Sequence, residues 1–119
     1  MSFQFENLTI WQKSLDLSIK VSELVKSFPK EELYVLSSQM KRAADSVVLN
    51  IAEGSTGQSK KEFNRFLGIS LRSVIEVVSC LYLAKSRQLI NDEQFKVHYD
   101  ESLIITKMIQ SFRKTLTTI

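Results

Sequence analysis

The sequence predicts an all-α protein, an antiparallel up-down-up-down four-helix bundle forming one domain over residues 1–119, and three observations carry that prediction. Hydrophobic residues make up 44% of the chain, yet it holds only 3 glycines and 1 proline, too few turn formers for a sandwich or barrel. Apolar residues recur at steps of three and four in four separate stretches. The breaks between those stretches are short and polar, which forces neighbouring helices to run antiparallel. A domain of this length buries roughly two thirds of the surface its unfolded chain exposes, enough for one core without staples.

The first helix is expected over about 7–27. Asn7 is a good N-cap, and Phe28 precedes Pro29, which pushes it out of the helical region. Its apolar residues fall on two sides: Leu8, Trp11, Leu15 and Ile19 on one, Ile10, Leu17, Val21, Leu24 and Phe28 on the other. No helix occupies the centre of a four-helix bundle, so a helix apolar on both sides predicts a partner subunit. Leu17, Val21, Leu24 and Phe28 are the expected interface, with Leu49, which projects away from the core stripe of the second helix.

The second helix, expected over about 33–53, carries Leu33, Leu36, Met40, Ala44, Val47 and Ile51. Gly54 is expected to close it in the left-handed conformation. A third helix over about 59–87 opens on the capping box Ser59-Lys60-Lys61-Glu62 and continues one face through Phe63, Leu67, Val74, Val77 or Val78, and Leu81. Asn91 and Gln94 cap a fourth over about 91–116, with Phe95, Ile105, Ile109, Phe112 and Leu116 on its inner side.

Net charge is +3, with a pI near 9.1, which permits a polyanionic partner without demanding one. Lys61, Arg65 and Arg72 lie within about 40° of one another on the third helix, with Gly68 on the same line and the apolar stripe opposite. Such a row can follow a phosphate backbone. In a single protomer it reads first as a solvated face, with Arg65 pairing Glu62 and Arg72 pairing Glu76. Lys60, Lys41 and Arg42 are expected to widen the patch. Trp11 reads as a core or interface anchor and Tyr34 as an exposed stacking residue.

Nothing in the chain assembles into catalytic machinery. Asn50 and Glu53 sit at a helix end that needs polar groups, and Ser70 and Ser73 are small packing positions without a base at helical spacing. His98, the only histidine, is expected to be structural. A di-iron bundle needs Glu-x-x-His pairs, whereas Glu93 and His98 are five apart with no second histidine. Helical ribonucleases place an arginine four to six residues before their histidine; Arg87 lies eleven before His98. The expectation is a protein without enzymatic activity, cofactor or small-molecule substrate. A lone Cys80 in an apolar run suggests a buried thiol in a reducing compartment, and the N-terminal residues carry neither a signal peptide nor a membrane span, so the cytoplasm is the expected location.

The string Gln39-Met-Lys-Arg-Ala-Ala-Asp-Ser-Val-Val-Leu-Asn-Ile-Ala-Glu-Gly54, with Trp11-Gln-Lys13, Phe28-Pro29-Lys30-Glu31-Glu32-Leu33-Tyr34, Glu62-Phe63 and Phe66-Leu67, resembles the bacterial family of 23S rRNA intervening-sequence proteins over nearly the whole chain. Such proteins are similar to the accessory proteins of diversity-generating retroelements. The chain departs from the pattern at Val35, where a glycine is common, and at Leu71-Arg72-Ser73-Val74, where Gly-Ser-Leu is frequent. The resemblance implies a homopentameric ring of four-helix bundles that binds RNA or DNA through a basic surface. Five copies would carry five times +3, or +15, and repeated basic rows displace many counterions at once. The competing expectation is a protein-interaction scaffold whose cations only keep it soluble.

Overall fold

In a computed structural model, residues 2–117 are described, and they form a bundle of four long helices: α1 (Thr9–Leu24), α2 (Ser38–Gly54), α3 (Lys60–Ser86) and α4 (Asp92–Thr117). Each packs against its two neighbours in chain order, and α1 against α4 closes the square. The body is a prism of 47 × 26 × 21 Å. Its core is built from Leu17 and Val21 of α1, Met40, Val47 and Ile51 of α2, Leu67, Val74, Val77 and Leu81 of α3, and Ile105 and Ile109 of α4.

α1 is shorter at both ends than the spacing predicts. Gln4–Asn7 form a 3-10 turn, so Asn7 is not the cap; Leu8 occupies that position without a side-chain bond. At the other end Val25–Ser27 tighten into another 3-10 turn before Phe28 and Pro29. Its two apolar stripes divide differently from expectation. Leu17 and Val21 are fully buried, and Leu24 and Phe28 nearly so, all inside the protomer's own core. That corrects their assignment to an interface: a stripe consumed by α2 and α4 has no surface to offer a second copy. The outward side is the other one, where Leu15 is exposed and Ile19 is 58% exposed. Leu8 and Trp11, in the same stripe, are half-buried against the core, with Phe5 packed edge-on to Trp11 at 4.7 Å.

Between α1 and α2 the chain makes a 3-10 turn at Lys30–Glu32 and then a π turn at Leu33–Ser37. A π turn holds an extra residue and so rotates the side chains that precede it relative to those that follow. Leu36 and Met40 are buried as a result, whereas Leu33, expected on the core stripe, is exposed together with Tyr34 and Val35.

Gly54 ends α2 without a left-handed backbone; positive φ falls instead at Gly57 in the linker and at Gln88 beyond α3. Gly54 is required for proximity. A Cβ there would lie 2.8 Å from both Phe63 Cδ1 and Phe66 Cβ. The capping boxes that follow differ in completeness. At α4 both halves form: Gln94 N donates to Asn91 Oδ1 at 2.7 Å and Asn91 N to Gln94 Oε1 at 2.9 Å. At α3 the Glu62 amide donates to Ser59 Oγ at 3.0 Å, while the Glu62 carboxylate turns to Arg65.

By length and composition α3 alone among the described helices could cross a membrane. Its apolar face is covered by α2 and α4 instead. The buried polar groups are internally satisfied, since Ser70 Oγ donates to Val47 O at 2.9 Å, Ser102 Oγ to His98 O at 2.8 Å, and His98 Nδ1 meets Gln94 O at 2.7 Å. Cys80 is buried, and desolvation pushes its thiol above the ordinary range.

Candidate nucleic-acid interface

The outer face of α3 changes character along its length. Lys61, Arg65 and Arg72 stand on one exposed line through its first half, and Ile75, Tyr82 and Leu83 continue the exposed surface through the second. The helix presents this face because Phe63, Leu67, Val74, Val77 and Leu81 commit the opposite side to the core.

The cations of the row are held unequally. Arg65 donates to Glu62 Oε1 from Nε at 3.1 Å and from Nη2 at 2.6 Å, and its guanidinium lies 4.5 Å over the Phe66 ring. That hydrogen-bonded pair holds the Glu62 carboxyl below its usual range and lifts Arg65 further. The expected Arg72–Glu76 pair does not form: Glu76 Oε2 accepts from Gln39 Nε2 of α2 at 3.3 Å. Among the described residues Arg72, Lys60 and Lys61 have no carboxylate partner. Lys60, the residue before Lys61, points about 100° round the helix from that line.

Lys41 and Arg42 do not complete one patch with the rest. The hydrogen bonds Ser73–Ser46 and Gln39–Glu76 set the register of the antiparallel pair, and place both near the level of Ile75 and Glu76, about 20 Å along the axis from Lys60 and Lys61. Lys41 faces the α1–α2 groove, lined also by Ser18, Ile19, Glu23 and Asp45. Arg42, 100° round the helix from it, is exposed one turn from Gln39 and is the nearer of the two to Arg72.

One cation escaped the sequence analysis. Arg113 of α4 reaches across to α3, where its Nε donates to Asn64 Oδ1 at 2.8 Å. Its guanidinium lies over Gly68, with Nη2 only 3.2 Å from where a glycine Cβ would stand. A signal was present in the glycine itself, since Gly in a helix interior costs about 1 kcal/mol against Ala and so marks a close approach. What could not be read was which residue approaches.

Exposed apolar residues are spread over several sides of the bundle, including the α1–α4 groove, where Ile104 stands beside Lys13 and Lys20. Across α1 and α2 they are Leu15, Ile19 and Leu49, the last 60% exposed; across α3 and α4 they are Ile75, Tyr82, Leu83 and Leu103. His98 is buried and structurally bonded, and among the described residues no group of three or more His, Cys, Asp or Glu side chains is placed to hold a metal.

Residues 6–111 match the family described as 23S rRNA-intervening sequence protein. Among solved structures, the chain is similar to a protein of unknown function from the S23 ribosomal protein family of Bacteroides thetaiotaomicron VPI-5482. The two share 28% identity with a TM-score of 0.83, over 89% of this chain and 99% of that one. No curated protein matches the chain.

Proposed function

Because this chain belongs to the 23S rRNA-intervening sequence protein family, we propose that it is a non-enzymatic, ring-forming protein that holds structured RNA or DNA by its phosphates. The observation that carries this reading is the exposed row on α3, in which Lys61 and Arg72 form no ion pair with a carboxylate among the described residues. A cation left unpaired at the surface keeps its charge available to an anion, and phosphate contacts dominate nucleic-acid affinity without specifying sequence.

Assembly multiplies that row. Unlike apolar residues exposed on the α1–α2 side and on the α3–α4 side of one protomer suit a head-to-tail contact, which closes into a ring when the rotation between copies allows. The family likeness favours five copies. In this reading Leu15, Ile19 and Leu49 of one protomer meet the α3–α4 patch of the next, and the basic rows repeat around the ring.

Fluorescence anisotropy with a labelled RNA stem-loop tests the reading. Affinity is expected to fall steeply with added salt, by a log–log slope of about 0.9 per phosphate contact, and to collapse in the Lys61→Glu/Arg65→Glu/Arg72→Glu variant. No retention by the wild-type protein even at low salt would remove the proposal. That outcome would favour the second reading, a protein-interaction scaffold, which draws support from the consecutive exposed residues Leu33, Tyr34 and Val35, with Tyr34 87% exposed.

A further inference from the structure

We propose that Arg113 is a phosphate-gripping member of the α3 row, admitted by Gly68, so that the nucleic acid is held along a line of cations drawn from two helices. The inference rests on the nucleic-acid reading above and names a residue and a device within it.

On α3 alone the row is broken. Arg72 lies seven positions beyond Arg65, about 10 Å of helix axis, and Gly68 sits near the middle of that gap. Arg113 fills it from the neighbouring helix. Its Cζ, Nη1 and Nη2 all lie within 3.2 to 3.6 Å of the vacant Cβ position, so the planar guanidinium lies flat against the α3 backbone at that point. With Arg113 in place, the positions that carry a cation succeed one another at about 4.5–6 Å along the axis from Lys61 to Arg72, Arg65 being the one paired with a carboxylate.

The way Arg113 is held suits an anion rather than a structural pair. A guanidinium has five N–H donors, and Asn64 takes one of them, leaving both terminal nitrogens for another acceptor. Asn64 is neutral, so it orients the fork without cancelling its charge. No carboxylate among the described residues pairs with Arg113, in contrast to Arg65, bound to Glu62, and Arg87, bound to Glu32. A planar fork with free terminal nitrogens matches phosphate oxygens bidentately, and preorganisation by Asn64 lowers the entropy lost on contact. The helix tolerates a glycine at position 68 to keep this geometry.

Anisotropy titrations of a labelled RNA stem-loop, and of a DNA duplex of the same sequence, with the Arg113→Gln and Gly68→Ala proteins decide the matter. Arg113→Gln is expected to weaken binding severalfold on whichever probe the wild type binds and to lower the salt slope by about 0.9. Gly68→Ala should also weaken binding, because its methyl displaces the guanidinium, while the melting temperature holds or rises. That pairing of a firmer fold with a poorer grip is what a purely structural Arg113 would not produce. Combining the two substitutions should add little beyond either alone. Wild-type affinity and slope in both variants, with the triple glutamate variant still dead, would overturn the role of Arg113 and leave the nucleic-acid reading standing. Failure of the wild type to bind either probe would overturn both.

Discussion

α3 is gripped by its two neighbours in different ways. Against α2 the seam is lined by small residues: Gly54 brings the end of α2 onto Phe63 and Phe66, Ser70 Oγ bonds Val47 O at 2.9 Å, and Ser73 meets Ser46 at 2.8 Å. Against α4 the seam is spanned by large groups, with Phe63 and Phe112 at 5.2 Å, Tyr82 and Phe95 at 4.8 Å, and Arg113 bonded to Asn64. Small residues let two backbones close and leave nothing to rearrange. Rings and a long cation leave a wider joint, and its rim is where a guanidinium can serve a ligand. The two helical glycines mark the contrast. Gly54 faces the rigid Phe66 Cβ, whereas Gly68 faces the far end of a flexible arginine.

The largest effect of breaking the comparison is expected on the tight side. Gly54→Ala would overpack the α2–α3 seam and cost about 1–3 kcal/mol, read as a lower urea midpoint. An unchanged midpoint would mean the seam relaxes as readily as the α4 side. A smaller loss, about 0.5–1.5 kcal/mol, is expected for Ser70→Ala, which deletes a buried interhelical hydrogen bond but leaves the Val47 carbonyl in its own helix. Equal stability would show that close backbone approach alone holds the seam.

The smallest effect lies on the outer face. Arg65 holds the Glu62 carboxyl below its unfolded value, so the pair's contribution is present above the ordinary carboxylate range and is lost as pH falls through the depressed value. The pair is exposed to solvent, so its effect on stability is slight. Glu62→Gln should flatten the acid limb of the urea midpoint against pH without moving its neutral value noticeably. The same change frees Arg65, and RNA affinity should rise; a fall would mean Glu62 positions the row rather than shields it.

Much of this fold was legible along the chain. The Asn91–Gln94 box, the core stripe of α3 and the exposed line of Lys61, Arg65 and Arg72 follow from spacing alone. The faults have physical reasons. Leu17, Val21, Leu24 and Phe28 were expected at an interface because periodicity shows that a helix has two apolar sides without showing which one its own bundle consumes. Leu33 left the core because a π turn shifts the side-chain register, and a three-four pattern assumes unbroken α geometry. Lys41 stands apart from the α3 cations because the register between α2 and α3, which no local pattern encodes, sets it about 20 Å along the axis from Lys61. Arg113 was absent from the site because forty-five residues separate it from Gly68.

What the sequence determined by itself is the local part of this protein: four helices, the caps that start the last two of them, and the α3 face that carries charge. Those follow from backbone sterics, caps and a period of 3.6, each settled within a few neighbouring residues. Only the tertiary structure decided which apolar stripe of α1 is core, which glycine serves contact rather than a turn, and which distant arginine enters the row. Each of those depends on the register and separation of two helices, and that is set by the packing of the whole core rather than by either segment.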